Sequence, residues 1–367
     1  MVKYGNRLFH LHLPPKELQS LAKKQNTRQW FIQTGYVLLL LWPCAELACR
    51  LVGAKPYIQQ KYSISATPED CIIPHERYGF ALGEGEFEVT INHEHHYKAT
   101  HKSGCRITSL QDFNSDTLAP VMALFGCSYT YGMGVDDEET FAFKLQHNFR
   151  QFQLLNMAVP GYGNLQGCMQ LESMIQEGTV PEVAIFVYAS FHDERNALLP
   201  RYKNSLRLGF LNAQAQMDER MYRSRFPYGV LWDGELIIES VEWTDISAFS
   251  RLREYSAAVN FVADFKENII TRKLQPDLVT QAIFGRLKTL CDEAGIDLMI
   301  VGITDDVHTT GQLRAFNGLG IDAFPLGVDT RDSTLNNLPY DSHPNEQAHQ
   351  LIFTKVNDLL ANRLSLK

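Results

Sequence analysis

Leu124-Phe125-Gly126-Cys127-Ser128-Tyr129-Thr130-Tyr131-Gly132 is the stretch on which the reading of this 367-residue chain turns. It follows a short apolar run, Val121 to Phe125, and bends through a glycine onto a serine. The spacing predicts a strand with the Ser128 hydroxyl at its carboxyl end, where open α/β sheets bind ligands. Far along the chain, Asp341-Ser342-His343-Pro344-Asn345 offers an Asp and a His two residues apart, ahead of a helix-like stretch. A serine hydroxyl is a weak nucleophile until an imidazole takes its proton, and the imidazole works best when a carboxylate fixes its tautomer. Ser128, His343 and Asp341 supply one of each. Taken singly, Gly-x-Ser reads as a turn and Asp-x-His-Pro as a turn with a helix cap; it is their combination that points to a triad.

Working outward, the chain alternates as a doubly wound fold should. Phe141 to Phe149 reads as a helix, Gln153 to Asn156 as a strand and Leu165 to Gln176 as a helix. Val183 to Tyr188 reads as a buried strand of β-branched and aromatic residues. A helix from Leu278 to Ala294, ended by Gly295, leads to a strand Asp297 to Gly302, and the last helix runs from Asn345 to Asn362. Val159-Pro160-Gly161-Tyr162-Gly163 suits a strand-end loop whose backbone N–H groups stay free, with Asn164 a weaker candidate for the same pocket. Asn196 to Asp245 breaks the rhythm and reads as an insertion over the active site.

Four segments in order, Gly126 to Gly132, Asn156 to Gly163, Phe191-His192-Asp193 and Asp341 to Asn345, resemble the four blocks of the SGNH (GDSL-like) hydrolase superfamily. The resemblance runs from Val121 to the C-terminus. It implies a flavodoxin-like three-layer α/β/α fold with a parallel sheet, to which the sequence adds an N-terminal helix and a small β-rich lead-in. It also implies a serine nucleophile, an Asp and His in the last block, and an oxyanion hole made by the Ser128 amide, the Gly161 amide and a side chain of the third block. Two positions depart from the pattern. Cys127 stands where the family has a supporting Asp, and His192 stands in the slot of the oxyanion asparagine. Either His192 donates to the oxyanion, or it packs in the loop and Asn164 or Asn196 supplies the donor.

The function implied is a serine-dependent O-acyl ester hydrolase or O-acyltransferase. For an anchored, outward-facing member the resemblance points to acetyl esters of a polysaccharide or envelope glycan. The alternative is a catalytically weak or inactive glycan-binding or scaffold protein, which His192 and Cys127 keep in play. No cofactor and no metal is called for. Hydrophobic content of 45% and charged content of 21% describe a globular chain. A net charge of −8 without a basic stripe argues against a nucleic-acid partner. Neither a Walker A loop nor a dinucleotide glycine fingerprint is present, so phosphoryl and hydride transfer have no support.

Ahead of the catalytic region, 121–367, the sequence divides into a tail (1–29), an apolar helix (30–53) and the lead-in (54–120). Gly35 to Ala45 is strongly apolar and follows Lys16, Lys23, Lys24 and Arg28, which fits a single-pass signal anchor with a cytoplasmic tail and a periplasmic or extracellular domain. A full span needs about 20 apolar residues. Trp30 to Gly53 reaches that length only by including Gln33, Pro43, Glu46 and Arg50, so an amphipathic helix lying on a membrane or docked on the domain is the other reading. In the lead-in, Glu86 to Ile91 alternates as a strand and Ser103-Gly104 reads as a turn. His93, His95, His96 and His101 crowd there without the spacing of a zinc site. Cys71 and Cys105 flank this region and could pair if it faces an oxidising space.

Overall fold

A computed structural model describes residues 30, 33, 36, 40–58, 63–110, 119–203, 205–206, 225–242 and 252–365. The chain divides into two compact units, one of residues 1–59 with 247–265 and one of residues 60–246 with 266–367. The tail, 1–29, lies outside the described residues, as do parts of 30–53. Among the described residues no helix is long and apolar enough to cross a membrane.

The larger unit begins with β1 (Ile64–Thr67), β2 (Ile72–His75), β3 (Gly79–Leu82), β4 (Gly85–Ile91), β5 (His95–Lys102) and β6 (Cys105–Arg106). β7 (Val121–Phe125) leads into a single helical turn, α1 (Ser128–Tyr131), and then α2 (Phe141–Asn148). β8 (Gln153–Asn156), α3 (Asn164–Gln176), β9 (Val183–Tyr188) and the short α4 (His192–Asn196) follow. β10 (Arg225–Trp232) and β11 (Glu235–Glu242) form a hairpin. α5 (Ala257–Leu274), which belongs to the smaller unit as far as Phe265, is followed by α6 (Pro276–Ala294), β12 (Asp297–Gly302), α7 (Val307–Gly318), β13 (Asp322–Pro325) and α8 (Glu346–Ser365).

One nine-stranded sheet, ordered β1-β4-β5-β6-β8-β7-β9-β12-β13, organises the unit. Its parallel part runs β8-β7-β9-β12-β13, which in chain order is the flavodoxin-like sequence 2-1-3-4-5. The order reverses between β7 and β9, and at the carboxyl ends of such a switch point α/β sheets bind their ligands. Successive residues of each strand go to opposite cores. Ala123, Phe125, Ala184, Phe186 and Tyr188 pack under α3, α6 and α7, while Met122, Leu124, Val183, Ile185 and Val187 pack under α2 and α8. Burial on both faces is why β9 reads as an unbroken apolar run.

Two expectations change in detail. The lead-in strands do not stand apart: β6 pairs antiparallel with β8 through Arg106 and Asn156, so β1, β4, β5 and β6 extend the central sheet. Of the 196–245 insertion, Tyr202 and Leu206 lie against Gly161, while the β10–β11 hairpin packs Leu231, Leu236 and Ile238 on the core beneath α6. Apolar alternation on β11 demanded a helix to cover it, and α6 supplied the face. Cys71 and Cys105 are buried free thiols, and burial pushes both up to about 12.

Candidate active site

β7 ends at Phe125, and the chain must reverse within two residues to start α1. Gly126 permits it, since a Cβ there would stand 2.1 Å from Thr130 Oγ1 and 2.8 Å from Thr130 Cβ. Cys127 is extended and fully buried, and Ser128 opens the helical turn with its carbonyl accepting from the amides of Gly132 (3.0 Å) and Met133 (2.9 Å). The Ser128 hydroxyl thus sits at the switch point, on a turn held at both ends.

His343 arrives from the loop before α8. The Ser128 hydroxyl donates to His343 Nε2 at 2.8 Å, and His343 Nδ1–H donates to both Asp341 carboxylate oxygens at 2.7 and 2.8 Å. Asp341 also accepts from the His343 amide at 3.2 Å, which fixes the carboxylate against the loop. Both Ser128 and Asp341 are buried. The three residues therefore meet in the order needed for Nε2 to withdraw the hydroxyl proton while Asp341 holds the opposite nitrogen protonated.

Gly161 follows β8 and His192 follows β9, the two neighbours of β7, so both start from strand ends beside that of Ser128. Gly161 adopts φ +92°, and a Cβ would press to 3.2 Å from Phe80 Cζ, so only glycine fits the turn. Its carbonyl accepts from Tyr202 Oη. Neither the Gly161 nor the Ser128 amide has an acceptor among the described residues, which leaves two N–H groups for a developing oxyanion.

His192 is fully buried at the start of α4. Burial, reinforced by the Arg195 guanidinium, holds its pKa well below the ordinary value, so the ring is neutral and carries one N–H. Nδ1 faces two groups: the Ala189 N–H at 3.3 Å, which needs a lone pair, and Asn164 Oδ1 at 3.1 Å, which needs a proton. Nε2 has no partner among the described residues. Asn164 is itself buried and donates through Nδ2 to Val187 O at 3.1 Å, tying the start of α3 to β9. Asn196 is committed likewise, Oδ1 accepting from the Leu165 amide and Nδ2 donating to Thr280. Asp193 anchors the loop from below, accepting from Tyr188 Oη (3.0 Å), Gln312 (2.9 Å) and His308 (2.7 Å).

Apart from His95, noted only as one of four clustered histidines, the residues that brace the site carry no signal in the sequence. Arg106 is buried, and all five of its N–H groups are used. It donates to Asp137 (2.7 Å) and to the carbonyls of Tyr131 (3.0 Å), Gly132 (2.6 Å), Lys98 (2.9 Å) and Val135 (2.8 Å). The loop after Ser128 is thereby tied to β5 and β6. His95 Nε2–H donates to Gly134 O at 2.7 Å, and its ring stacks on Tyr340. Asn92 donates to Tyr340 O at 2.6 Å, and the Asn337 amide donates to His343 O at 3.1 Å. The extension of the sheet therefore buttresses both the Ser128 turn and the Asp341–His343 loop. No local pattern marks these residues, because their partners lie on other strands and loops.

Of the four clustered histidines, His95 and His101 point inward on β5 while His96 lies outside and bonds Thr90. His101 Nδ1–H donates to Gly83 O at 3.0 Å, and its Nε2 accepts from Tyr131 Oη at 2.7 Å. Burial lowers His101 to about 4 and His349 to about 3. With His192, three imidazoles are neutral when folded, whereas unfolded ones titrate near 6.5. The stability they contribute is whole above about pH 6.5 and is lost as pH falls toward the folded values. Between pH 7.5 and 5.5 the loss is roughly 1 kcal/mol per imidazole. Denaturant midpoints at the two pH values should differ accordingly, and equal midpoints would refute the assignment of neutral rings.

No family model matches the chain, and no curated protein matches it. Among solved structures it is similar to TesA, at 9% identity over 66% of this chain and 98% of that one, with a TM-score of 0.36. It is similar to the psychrotrophic esterase EstA from Pseudoalteromonas sp. in a structure inhibited by monoethylphosphonate, at 12% identity over 67% and 98% of the two chains and a TM-score of 0.36. A third is the acetyl xylan esterase Est2A from the rumen bacterium Butyrivibrio proteoclasticus, at 12% identity over 69% of this chain and 66% of that one, TM-score 0.35.

Proposed function

We propose that this chain is a serine hydrolase of the SGNH type that cleaves or transfers O-acyl groups through an acyl-serine intermediate. The observation that carries the reading is the unbroken hydrogen-bond chain from Asp341 through His343 to Ser128 at the switch point of the sheet. His343 Nε2 takes the hydroxyl proton as Ser128 Oγ attacks the ester carbonyl, and the amides of Ser128 and Gly161 face the charge that grows on the carbonyl oxygen. The same imidazole returns the proton to the leaving alcohol. Water or a second hydroxyl, activated by His343, then resolves the acyl-enzyme. The esters this reading assigns to the site are acetyl groups on a polysaccharide or envelope glycan. We place the domain beside a membrane through residues 30–53, on the periplasmic or extracellular side. A fluorophosphonate incubated with the full chain should add one phosphonyl mass to the peptide containing Ser128, and p-nitrophenyl acetate should be turned over. Labelling absent, or spread to other serines, would refute it.

His192 is the third oxyanion donor in this reading, through Nε2–H with Nδ1 accepting from Ala189. His192→Ala should lower kcat by about 10²–10³ with little change in KM, the loss usual for one oxyanion donor. His192→Asn should restore most of it. Because the ring is neutral throughout, the pH profile of His192→Asn should overlay that of the wild type. A His192→Ala variant with unchanged kcat would reduce the residue to packing.

A further inference from the structure

The smaller unit carries large apolar side chains where a soluble surface would be polar. On the helix over 40–51, Leu40, Leu47 and Leu51 recur at i, i+7 and i+11, a single stripe, and are 74%, 60% and 79% exposed. On α5, Phe261, Val262 and Phe265 share an arc of about 100° and are 51%, 56% and 64% exposed. The opposite side of α5 packs Val259 and Ala263, both buried. A helix apolar on both sides belongs either in a core or against lipid, and the exposure of this outer arc removes the first option.

Glu46 binds the two helices into one body. It accepts from Ser256 Oγ (2.7 Å), from the amides of Ala257 (3.0 Å) and Ala258 (3.0 Å), and from Arg50 (2.7 Å). Its carboxylate therefore sits on the amino end of α5, and those amides, Ala258 first, lower its pKa to about 2. The following segment is laced to the same helix, Asn260 donating to Lys55 O and the Tyr57 amide to Arg253 O. The stripe and the arc are thus held together by polar contacts that leave both apolar faces outward.

Charge decides between a bilayer and a second copy as the cover. The first 45 residues contain Lys3, Arg7, Lys16, Lys23, Lys24 and Arg28 against Glu17 alone, in a chain whose net charge is −8. That excess, next in sequence to the helix over 40–51, attracts anionic headgroups, whereas two copies would each bring the same positive segment. Trp30, Tyr36 and Trp42 add the aromatic residues that settle at headgroup level.

We propose that Phe261, Val262 and Phe265 form a second membrane contact, pressed into the headgroup–acyl boundary of an anionic bilayer beside the helix over 40–51. The inference rests on the membrane placement given under Proposed function and deepens it: two tied contacts fix the orientation of this unit on the bilayer, where one helix would swivel. The test uses the full chain reconstituted in vesicles of phosphatidylglycerol and phosphatidylethanolamine with brominated acyl chains. Phe265→Trp adds one indole, isolated by subtracting the wild-type signal, and Val262→Trp repeats the measurement on the same arc should the first variant fold poorly. The added indole should shift to the blue on vesicle addition and lose intensity to the bromines. Quenching of the wild-type tryptophans without quenching of the added indole would overturn this inference alone. Absence of quenching in the wild type as well would overturn the membrane placement with it. A blue shift without lipid that grows with protein concentration would show that a second copy covers the arc, and would overturn it too.

Discussion

Ser128→Ala is expected to abolish ester turnover, with kcat falling by about 10⁴–10⁶, the range seen when a serine nucleophile is removed. The reason is stoichiometric. In the proposed mechanism His343 Nε2, paired with Asp341, withdraws the Ser128 proton, so without the hydroxyl no acyl-enzyme can form. Residual rate above water would come from the free amides of Ser128 and Gly161. The substitution removes one oxygen from a buried site and leaves the backbone bonds of the turn in place. The melting temperature should therefore stay within a degree or two, roughly the effect of a small surface-type change. Turnover and thermal melting measured on the same preparation check both halves. Wild-type turnover by the variant would exclude the triad, and a collapsed melting temperature would mean that the hydroxyl is structural.

Arg106→Ala is expected to cost stability on a comparable scale of importance. Removing one member of a buried ion pair typically costs about 3–5 kcal/mol because the partner charge stays buried without compensation. Here Asp137 would lose its cation and four backbone carbonyls would lose their donor. For a domain of this size that is roughly a 6–10 °C fall in melting temperature. Arg106→Lys should recover little, since an ammonium offers three donors where the guanidinium offers five in a fixed fork. Two of the lost carbonyl contacts, Tyr131 and Gly132, close the turn that begins at Ser128. The variant should therefore also lose kcat on a short soluble ester at temperatures where it remains folded. A variant with wild-type melting would show that the loop is held by β5 and β7 alone.

Most of the parallel half of the fold was legible because its determinants are local. The apolar runs Val121 to Phe125, Val183 to Tyr188 and Asp297 to Gly302 stand out as buried strands, and each is one. Gly295 at φ +69° ends α6 where a helix-terminating glycine was expected. The helix ends drifted by a few residues: α6 starts at Pro276, not Leu278, because Pro at the first turn is compatible with a helix. β13 and α7 escaped notice, being short or weakly patterned, with Asp322 and Pro325 exposed at the sheet's edge.

Sequence by itself determined the strand-turn context of Ser128 and set out Ser128, His343 and Asp341 as the residue types a triad needs, since both depend on short stretches of chain. Only the tertiary structure decided what surrounds them. The union of β6 with β8 depends on one antiparallel pairing between residues 50 apart, Arg106 and Asn156, and no periodicity encodes such a partner. The same holds for the five donors of Arg106, for His95 on Gly134 and for Asn92 on Tyr340. Whether His192 is neutral also depends on burial and on the nearby Arg195 guanidinium, because an imidazole's charge is set by the solvent and charges around it rather than by its place in the chain.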